Sequence, residues 1–155
     1  MRKINLICIG SLKEQYLVDA YNEYRKRLSR FFDFKLIELH ETKLQKNTPS
    51  QIQKVIDSEG EEILSKLPNS KIFPLCIEGT QLDSVEFSNM IANESNLGEI
   101  TFIIGGSYGL SDKVKKLGKP ISFGKLTYPH QLMRIMFMEQ LYRAGTILNN
   151  VDYHK

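Results

Sequence analysis

The chain has 155 residues, which is about the size of one domain and long enough to bury a single core. Hydrophobic residues make up 41% and charged residues 25%, a composition typical of a globular protein that excludes a disordered or fibrous one. The formal net charge of +3, from 21 basic and 18 acidic residues, permits a polyanionic partner without requiring one.

The first half of the chain alternates short β-rich runs with helical patterns. In chain order these patterns predict a strand over 4–9, a helix from Lys13 to about Arg30, a strand over 34–39, and a helix that begins at Thr48-Pro49 and reaches about Leu67. The intervening segment 40–48 is polar and without periodicity, so it is interpreted as a mobile loop.

The second half continues the alternation. It predicts a strand over 71–77, a helix from Asp83 or Ser84 to about Asn93, a strand over 99–104, a short helix from Ser111, a strand over 120–123 and a helix from about His130 to Asn149. Pro74 within the third strand indicates an edge strand or a bulge. The whole pattern predicts one α/β domain over residues 1–155, a mostly parallel sheet with helices on both faces.

The N-terminal segment "MRKINLICIG" has a basic start and an apolar run, but the run is too short for a signal peptide. No stretch approaches the ~18 apolar residues of a membrane span. We therefore expect a cytoplasmic protein with no membrane partner. Cys8 and Cys76 lie in apolar runs without metal-binding spacing, which predicts buried free thiols and no metal site.

The last predicted helix carries apolar residues around most of its circumference rather than along one stripe. One face of a sheet cannot bury such a helix, so we expect a second copy of the chain to pack on it and form a homodimer. The alternative is a helix that is entirely internal to one protomer.

The glycine-rich segment "IIGGSYGL" (103–110) follows a strand and precedes a helix, the place where open α/β sheets bind ligands. Its G-G-x-x-G spacing matches neither a dinucleotide-binding motif nor a P-loop, and a simple glycine turn is the alternative. The segments 75–79 and 123–128 also follow strands. Three such strand ends predict one pocket, better suited to a neutral purine than to a triphosphate because it lacks a basic phosphate cradle.

Basic residues cluster at 25–30 and 113–119. If both clusters and their copies in a dimer flank one cleft, they would hold a phosphate backbone. The alternative for the first cluster is an ordinary solvated helix end, where cations interact favourably with the helix dipole.

Several segments together resemble a known family. They are "ICIGSLKEQY", "CIEG", "IIGGSYGL", "ISFGKLTYPHQLMRIMFMEQLYRA" and the terminal "YHK". The chain is similar along its whole length to the ribosomal large-subunit (23S rRNA) pseudouridine N3-methyltransferases, which belong to the SPOUT class. One departure is Gly124, where the family has serine.

The resemblance implies a C-terminal trefoil knot, a homodimer and S-adenosyl-L-methionine as the methyl donor, without a metal. It implies as substrate N3 of a pseudouridine in helix 69 of 23S rRNA within assembled 70S ribosomes; DNA is not expected as a partner. The implied cofactor-binding residues are Leu75, Gly105, Phe123, Gly124, Lys125, Leu126, Thr127 and Tyr128.

Methyl transfer to an imide nitrogen requires in-line placement and removal of a proton, so we expect positioning to supply most of the catalysis. The preferred catalytic candidates are His154 and Arg143, and the others are Tyr153, His130 and Arg134. The alternatives to this function are a non-catalytic ribosome- or RNA-binding α/β module and a different nucleotide-using α/β enzyme.

Overall fold

The computed structural model describes all 155 residues and contains every predicted element. In chain order the elements are β1 (Arg2–Ile9), α1 (Gln15–Leu28), β2 (Phe32–Leu39), α2 (Pro49–Ser65), β3 (Lys71–Gln81), α3 (Ser84–Ser95), β4 (Ile100–Ile104), α4 (Asp112–Lys115), β5 (Ile121–Ser122) and α5 (His130–Leu148). The largest departure from the predicted bounds is β3, which continues to Gln81 instead of ending at 77.

The five strands form one sheet in the order β2-β1-β4-β3-β5, and every pairing is parallel, which confirms the predicted parallel sheet. Of the two possibilities that Pro74 indicates, an edge strand and a bulge, the edge strand does not apply, because β3 lies between β4 and β5. Pro74 pairs with Ile103 of β4, and the register with β5 shifts just after it, between Leu75 and Thr80. The irregularity that proline indicated is therefore in the ladder to β5.

The helices cover both faces of the sheet, as predicted. Alternate residues of β4 show the two layers: Phe102 packs in a core with α1, α3 and α5, whereas Ile103 packs in a smaller core with α2 and α4. All five residues of β4 are buried, which explains why apolar residues lie on both of its faces, with Thr101 as the one polar residue.

Three helices begin at side chains that accept a hydrogen bond from an otherwise unpaired first-turn N–H. Thr48 accepts from Gln51, with Pro49 in the first turn of α2, and Ser111 accepts from Val114 at the start of α4. Asp83 and Glu86 form a reciprocal capping box at α3. The predicted loop over 40–48 contains no helix or strand.

Nine of the 19 residues of α5 are buried inside the protomer, so a large part of its apolar circumference is covered without a second chain, and the homodimer stays a prediction. Phe137, Met138 and Leu141 are fully buried because α5 packs on both α1 and α3 as well as on the sheet. The residues that remain partly exposed include one stripe along the helix, formed by Leu132, Met136, Gln140, Arg143 and Ile147.

Cys8 is buried, but Cys76 is only half-buried, so the expectation of two buried thiols is wrong for Cys76. Both cysteines are free. None of the helices has the length and apolar character needed to cross a membrane.

Candidate functional site

A cavity of about 400 Å³ lies where the loops after β3, β4 and β5 meet. Because the strands are parallel, their carboxyl ends share one edge of the sheet, and this edge is where open α/β sheets bind ligands. The cavity has a size typical of small-molecule sites. Its walls are backbone and side chains of the segments 75–78, 104–110 and 122–128, with His130 and Met133 from α5.

Seven of the eight predicted cofactor-binding residues line this cavity. They are Leu75, Gly105, Phe123, Gly124, Leu126, Thr127 and Tyr128. Lys125 is the exception: it is exposed and does not line the cavity.

Two glycines in the cavity wall are required for different reasons. A Cβ at Gly105 would lie 2.8 Å from the carbonyl carbon of Gly109, so the loop's own close packing demands glycine there. Gly124 has open space around it, but its φ is +118°, a conformation that other residues adopt only with strain.

The cavity contains one lysine, and its charge is neutralised locally. The Nζ of Lys115 lies 2.5 Å from Oε1 of Glu78, and this pairing raises the pKa of Lys115 and lowers that of Glu78. No arginine lines the cavity. The site therefore suits a neutral or cationic ligand better than a triphosphate, which needs unpaired cations or a backbone phosphate cradle.

His130 is the one predicted catalytic residue that lines the cavity. It is half-buried, and its Nε2 atom is buried without a hydrogen-bond partner. Burial lowers the pKa of His130 below its usual value of 6.5, although nearby Glu41 acts in the opposite direction. The imidazole is therefore neutral near pH 7 and can accept a proton.

Arg134 does not line the cavity, because its guanidinium is used inside the fold. It is 2% exposed and donates hydrogen bonds to Oε2 of Glu38 at 2.5 Å and to the carbonyl of Gly10 at 2.8 Å. These contacts tie the first turns of α5 to the ends of β1 and β2. Arg134 therefore positions the helix that carries His130.

The other three predicted catalytic residues, Arg143, Tyr153 and His154, lie together outside the cavity. Glu139 connects them: its Oε1 accepts from Nη2 of Arg143 at 2.8 Å and from the hydroxyl of Tyr153 at 2.9 Å. Arg143 also contacts Nδ1 of His154 at 3.2 Å. Because arginine can only donate, Nδ1 of His154 is the acceptor in this pair.

The C-terminal tail is packed against α5. A turn with Asn150 at a φ of 54° reverses the chain, and the amide of Val151 donates to the carbonyl of Thr146. The ring of Tyr153 then packs edge-on against Tyr142, with centroids 4.9 Å apart.

A second cavity, of about 480 Å³, adjoins the first. It shares Ser122, Phe123 and Gly124 with the first cavity and is bordered by Glu139 and Met136 of α5. The group around Glu139 is therefore separated from the first cavity by one loop wall.

Three acidic residues with roles here were absent from the sequence-based candidates: Glu139, Glu78 and Glu38. The four-residue spacing of Glu139 and Arg143 on a helix could have indicated their pairing. The pairs Lys115–Glu78 and Arg134–Glu38 join residues far apart in the chain, and nothing in the sequence indicates them.

The two basic clusters do not converge within one protomer, so a cleft formed by them and their copies in a dimer stays a prediction. The 25–30 cluster ends α1 on the face that carries α5, whereas the 113–119 cluster lies around α4 on the opposite face. In the second cluster Lys113 pairs with Glu61 and Lys115 with Glu78. No group of three or more His, Cys, Asp or Glu side chains lies close enough together to hold a metal ion.

A family model described as "Predicted SPOUT methyltransferase" matches residues 2–154. The chain is 48% identical over 158 aligned residues to a protein of Streptococcus uberis named "Ribosomal RNA large subunit methyltransferase H" and 49% identical to the protein of that name from Streptococcus gordonii. Each alignment covers 99% of both chains.

Among solved structures, that of Archaeoglobus fulgidus Nep1 bound to S-adenosylhomocysteine aligns with a TM-score of 0.47 at 10% identity. The alignment covers 93% of this chain and 99% of the other.

Proposed function

The chain belongs to the SPOUT methyltransferase family, and from that premise we propose that it methylates large-subunit ribosomal RNA with S-adenosyl-L-methionine as donor. The observation that carries the proposal is the cavity at the carboxyl ends of β3, β4 and β5, in a chain nearly half identical to proteins named as ribosomal RNA methyltransferases.

The residues of the cavity fit this cofactor. Apolar walls from Leu75, Leu126 and Met133 suit an adenine ring, and the neutralised Lys115–Glu78 pair leaves no excess positive charge to repel a sulfonium. Backbone groups of the three loops can hydrogen-bond the ring edge and the ribose. When bound, S-adenosylmethionine supplies an electrophilic methyl group.

We propose N3 of a pseudouridine in helix 69 of 23S rRNA, within assembled 70S ribosomes, as the methylated position. The support is the resemblance of the segments 103–110 and 121–144 and of the tail to the pseudouridine N3-methyltransferases. A small chain with a net charge of +3 offers few phosphate contacts, so an assembled ribosome is expected to supply much of the recognition surface. This substrate places the enzyme in the cytoplasm.

The reaction needs the N3 proton removed and the nitrogen held in line with the methyl group. Two histidines are the proposed proton acceptors: His130 from within the cavity and His154 from the tail. Nδ1 of His154 already accepts from Arg143, so His154 must leave that contact before it can take a proton there. Arg143 is proposed to stabilise the negative charge that develops on the imide, and Tyr153 to stack on a base.

We further propose a homodimer whose contact is the apolar part of the partly exposed stripe of α5, at Leu132, Met136 and Ile147. In such a dimer the tail at the end of α5 would lie near the partner's helix, so it can serve either cavity. A trefoil knot formed by the C-terminal segment is proposed from the resemblance. The strand order supports this proposal. The segment between β4 and β5 crosses β3 to reach the edge of the sheet, and the chain then comes back as α5, which packs on α1.

Nucleoside mass spectrometry of ribosomal RNA from a strain lacking this gene tests the function. We expect one methylated pseudouridine to disappear from 23S rRNA and to return when the gene is restored. Calorimetry with S-adenosylhomocysteine, ATP and NAD is the matched test of the cavity, and we expect binding of the first alone. Intact modification in the deletion strain would contradict the substrate, and absence of S-adenosylhomocysteine binding would favour a non-catalytic RNA-binding module.

A further inference from the structure

We propose that the C-terminal end of α1 and the tail-bearing end of α5 form one surface that binds the backbone of the RNA substrate. We call it the arginine ridge and define it by Arg25, Lys26, Arg27, Arg30 and Arg143. The identity of the RNA as ribosomal rests on the proposed function, whereas the surface itself rests on the contacts described next.

Aromatic rings join the two ends of the ridge. The guanidinium of Arg27 lies 5.6 Å from the ring centroid of Tyr142, and the ring of Tyr142 packs against that of Tyr153. The guanidinium of Arg143 lies 4.8 Å from the centroid of Tyr153. The basic cluster of α1 is therefore continuous with the tail, although more than a hundred residues separate them in the chain.

The ring of Phe31 extends this row in the other direction. Its centroid lies 6.0 Å from that of Tyr142, and the guanidinium of Arg30 lies 5.5 Å from Phe31. An arginine held against an aromatic face keeps its N–H edges free for phosphate oxygens while its orientation is restricted.

Three cations of the ridge have no carboxylate partner. Arg25 donates to the neutral hydroxyl of Tyr21, and neither Lys26 nor Arg30 forms a salt bridge. Arg27 and Arg143 do pair, with Glu23 and Glu139. The ridge therefore keeps a concentrated positive charge at its α1 end, and its α5 end is fixed in place by Glu139.

The chemistry of the ridge fits RNA loops. Such RNA is bound by proteins through cations on its phosphates together with aromatic and guanidinium planes on its bases. A membrane surface would require exposed apolar side chains beside the cations, and the aromatic rings here are buried or half-buried beneath the arginines. An RNA strand lying on the ridge would reach Tyr153 and His154 at its α5 end.

The test replaces Arg25, Lys26 and Arg30 together by Gln. The matched control replaces Lys113, Lys116 and Lys119 by Gln, which removes the same charge from the opposite face of the sheet. Binding to 70S ribosomes lacking the modification is measured between about 50 and 200 mM salt, with methylation kinetics and S-adenosylhomocysteine affinity in parallel.

For the ridge variant we expect ribosome affinity to fall at least tenfold. The slope of log affinity against log salt should become shallower by about 2, at roughly 0.7 for each of three lost contacts to a single strand. KM for ribosomes should rise while kcat and S-adenosylhomocysteine affinity stay near wild type, because the variant leaves the cavity and the tail intact. The control should retain most of its affinity.

Equal losses in both variants would overturn the proposal, since net charge alone would then explain binding, and an unchanged salt slope would also overturn it. A surface that binds anionic lipid vesicles but not ribosomes, and loses that binding in the ridge variant, would assign the ridge to a membrane instead. If wild type binds ribosomes through the ridge without methylating them, the proposed function fails and the surface stands.

Discussion

Arg134 and His130 lie one helical turn apart at the start of α5, and they have different roles. Arg134 fixes the helix in the fold, and His130 faces the cavity. Arg134 is 2% exposed and holds the helix to Glu38 and Gly10, so its charge is satisfied within the protein. His130 faces the cavity with a buried, unpartnered Nε2. An unsatisfied buried nitrogen costs stability, and it is retained most readily where a ligand or substrate provides its partner.

The role proposed for His130 leads to a testable prediction about how the methylation rate depends on pH. A base acts only when it is neutral, so the methylation rate should rise with pH through the pKa of His130 and become level above it. Burial lowers that pKa below 6.5, so the rise should lie on the acid side of 6.5. His130→Gln should remove this limb and lower the rate at least about a hundredfold. Single-turnover methylation at saturating cofactor measures both.

His154→Gln is the matched variant for that experiment. If His154→Gln removes the acid limb and His130→Gln keeps it, the proton acceptor is in the tail and His130 is a cavity wall residue only.

At this scale, the sequence could predict most of the cavity wall but not its charges. Leu75, Gly105 and the 123–128 segment were identifiable because they follow strands or belong to a specific motif. Glu78, Glu38 and Glu139 act through partners, and two of those partners are distant in the chain. Lys125, which the family resemblance implies as a cofactor-binding residue, is exposed and outside the cavity wall, so its role stays a prediction.

Helix α5 shows what periodicity alone can and cannot predict about the surroundings of a helix. An apolar circumference indicates that a helix is surrounded, but it does not identify what surrounds it. Here α1 and α3 of the same protomer pack on the helix and nine of its 19 residues are buried, which leaves the others at least partly exposed. The alternation of strands and helices was predictable because each element is local, whereas packing between α1 and α5 joins distant segments.

Two methionines two residues apart test the proposed dimer contact. Met138→Glu should unfold or strongly destabilise the protomer, because Met138 is fully buried and a charge there has no partner. Met136→Glu should leave the protomer folded, since Met136 is partly exposed, and should weaken the dimer. Sedimentation velocity with circular dichroism separates the two effects. If the Met136 variant still forms a native dimer, the dimer contact does not lie on this stripe.

The packing of the C-terminal tail against α5 leads to a second prediction, which concerns the effect of deleting the tail on methylation. Removing Tyr153–Lys155 deletes a hydrogen bond to Glu139 and the edge-on contact with Tyr142, both made to side chains of α5. S-adenosylhomocysteine affinity and dimerisation should stay nearly intact, while single-turnover methylation of unmodified ribosomes falls at least about tenfold. Full activity in the truncated protein would make the tail a packing element and leave His130 as the acid–base candidate.

For the whole molecule, the parallel sheet was predictable but its strand order was not. Insertion of β4 between β1 and β3 depends on pairings that span about a hundred residues, and no local pattern encodes them. The segment that leads into β5 is equally constrained by distant parts of the chain. A Cβ at Gly118 would overlap the carbonyl oxygen of Ile72 in β3.

Gly118→Ala should therefore be among the most destabilising single changes, with a loss of about 3 kcal/mol or more in the free energy of unfolding. Gly98→Ala is the control: nothing lies within 4 Å of its Cβ, so strain from a φ of +140° is its only cost, about 1 kcal/mol. Urea denaturation compares them. Equal losses in the two variants would mean that β3 and the 118 segment can separate without cost.

The positions of the cavity's segments along the chain determine how early during synthesis the site can form. Its segments begin at Leu75 and end in α5, and β5 contributes only two residues that pair with β3 alone. In a chain that grows from its N-terminus, the first four strands can meet while the wall over 122–130 is still missing. Parallel pairings between distant segments also form slowly. Ligand capture is therefore a late step in biosynthesis, and binding of S-adenosylhomocysteine distinguishes finished chains from those that have only collapsed.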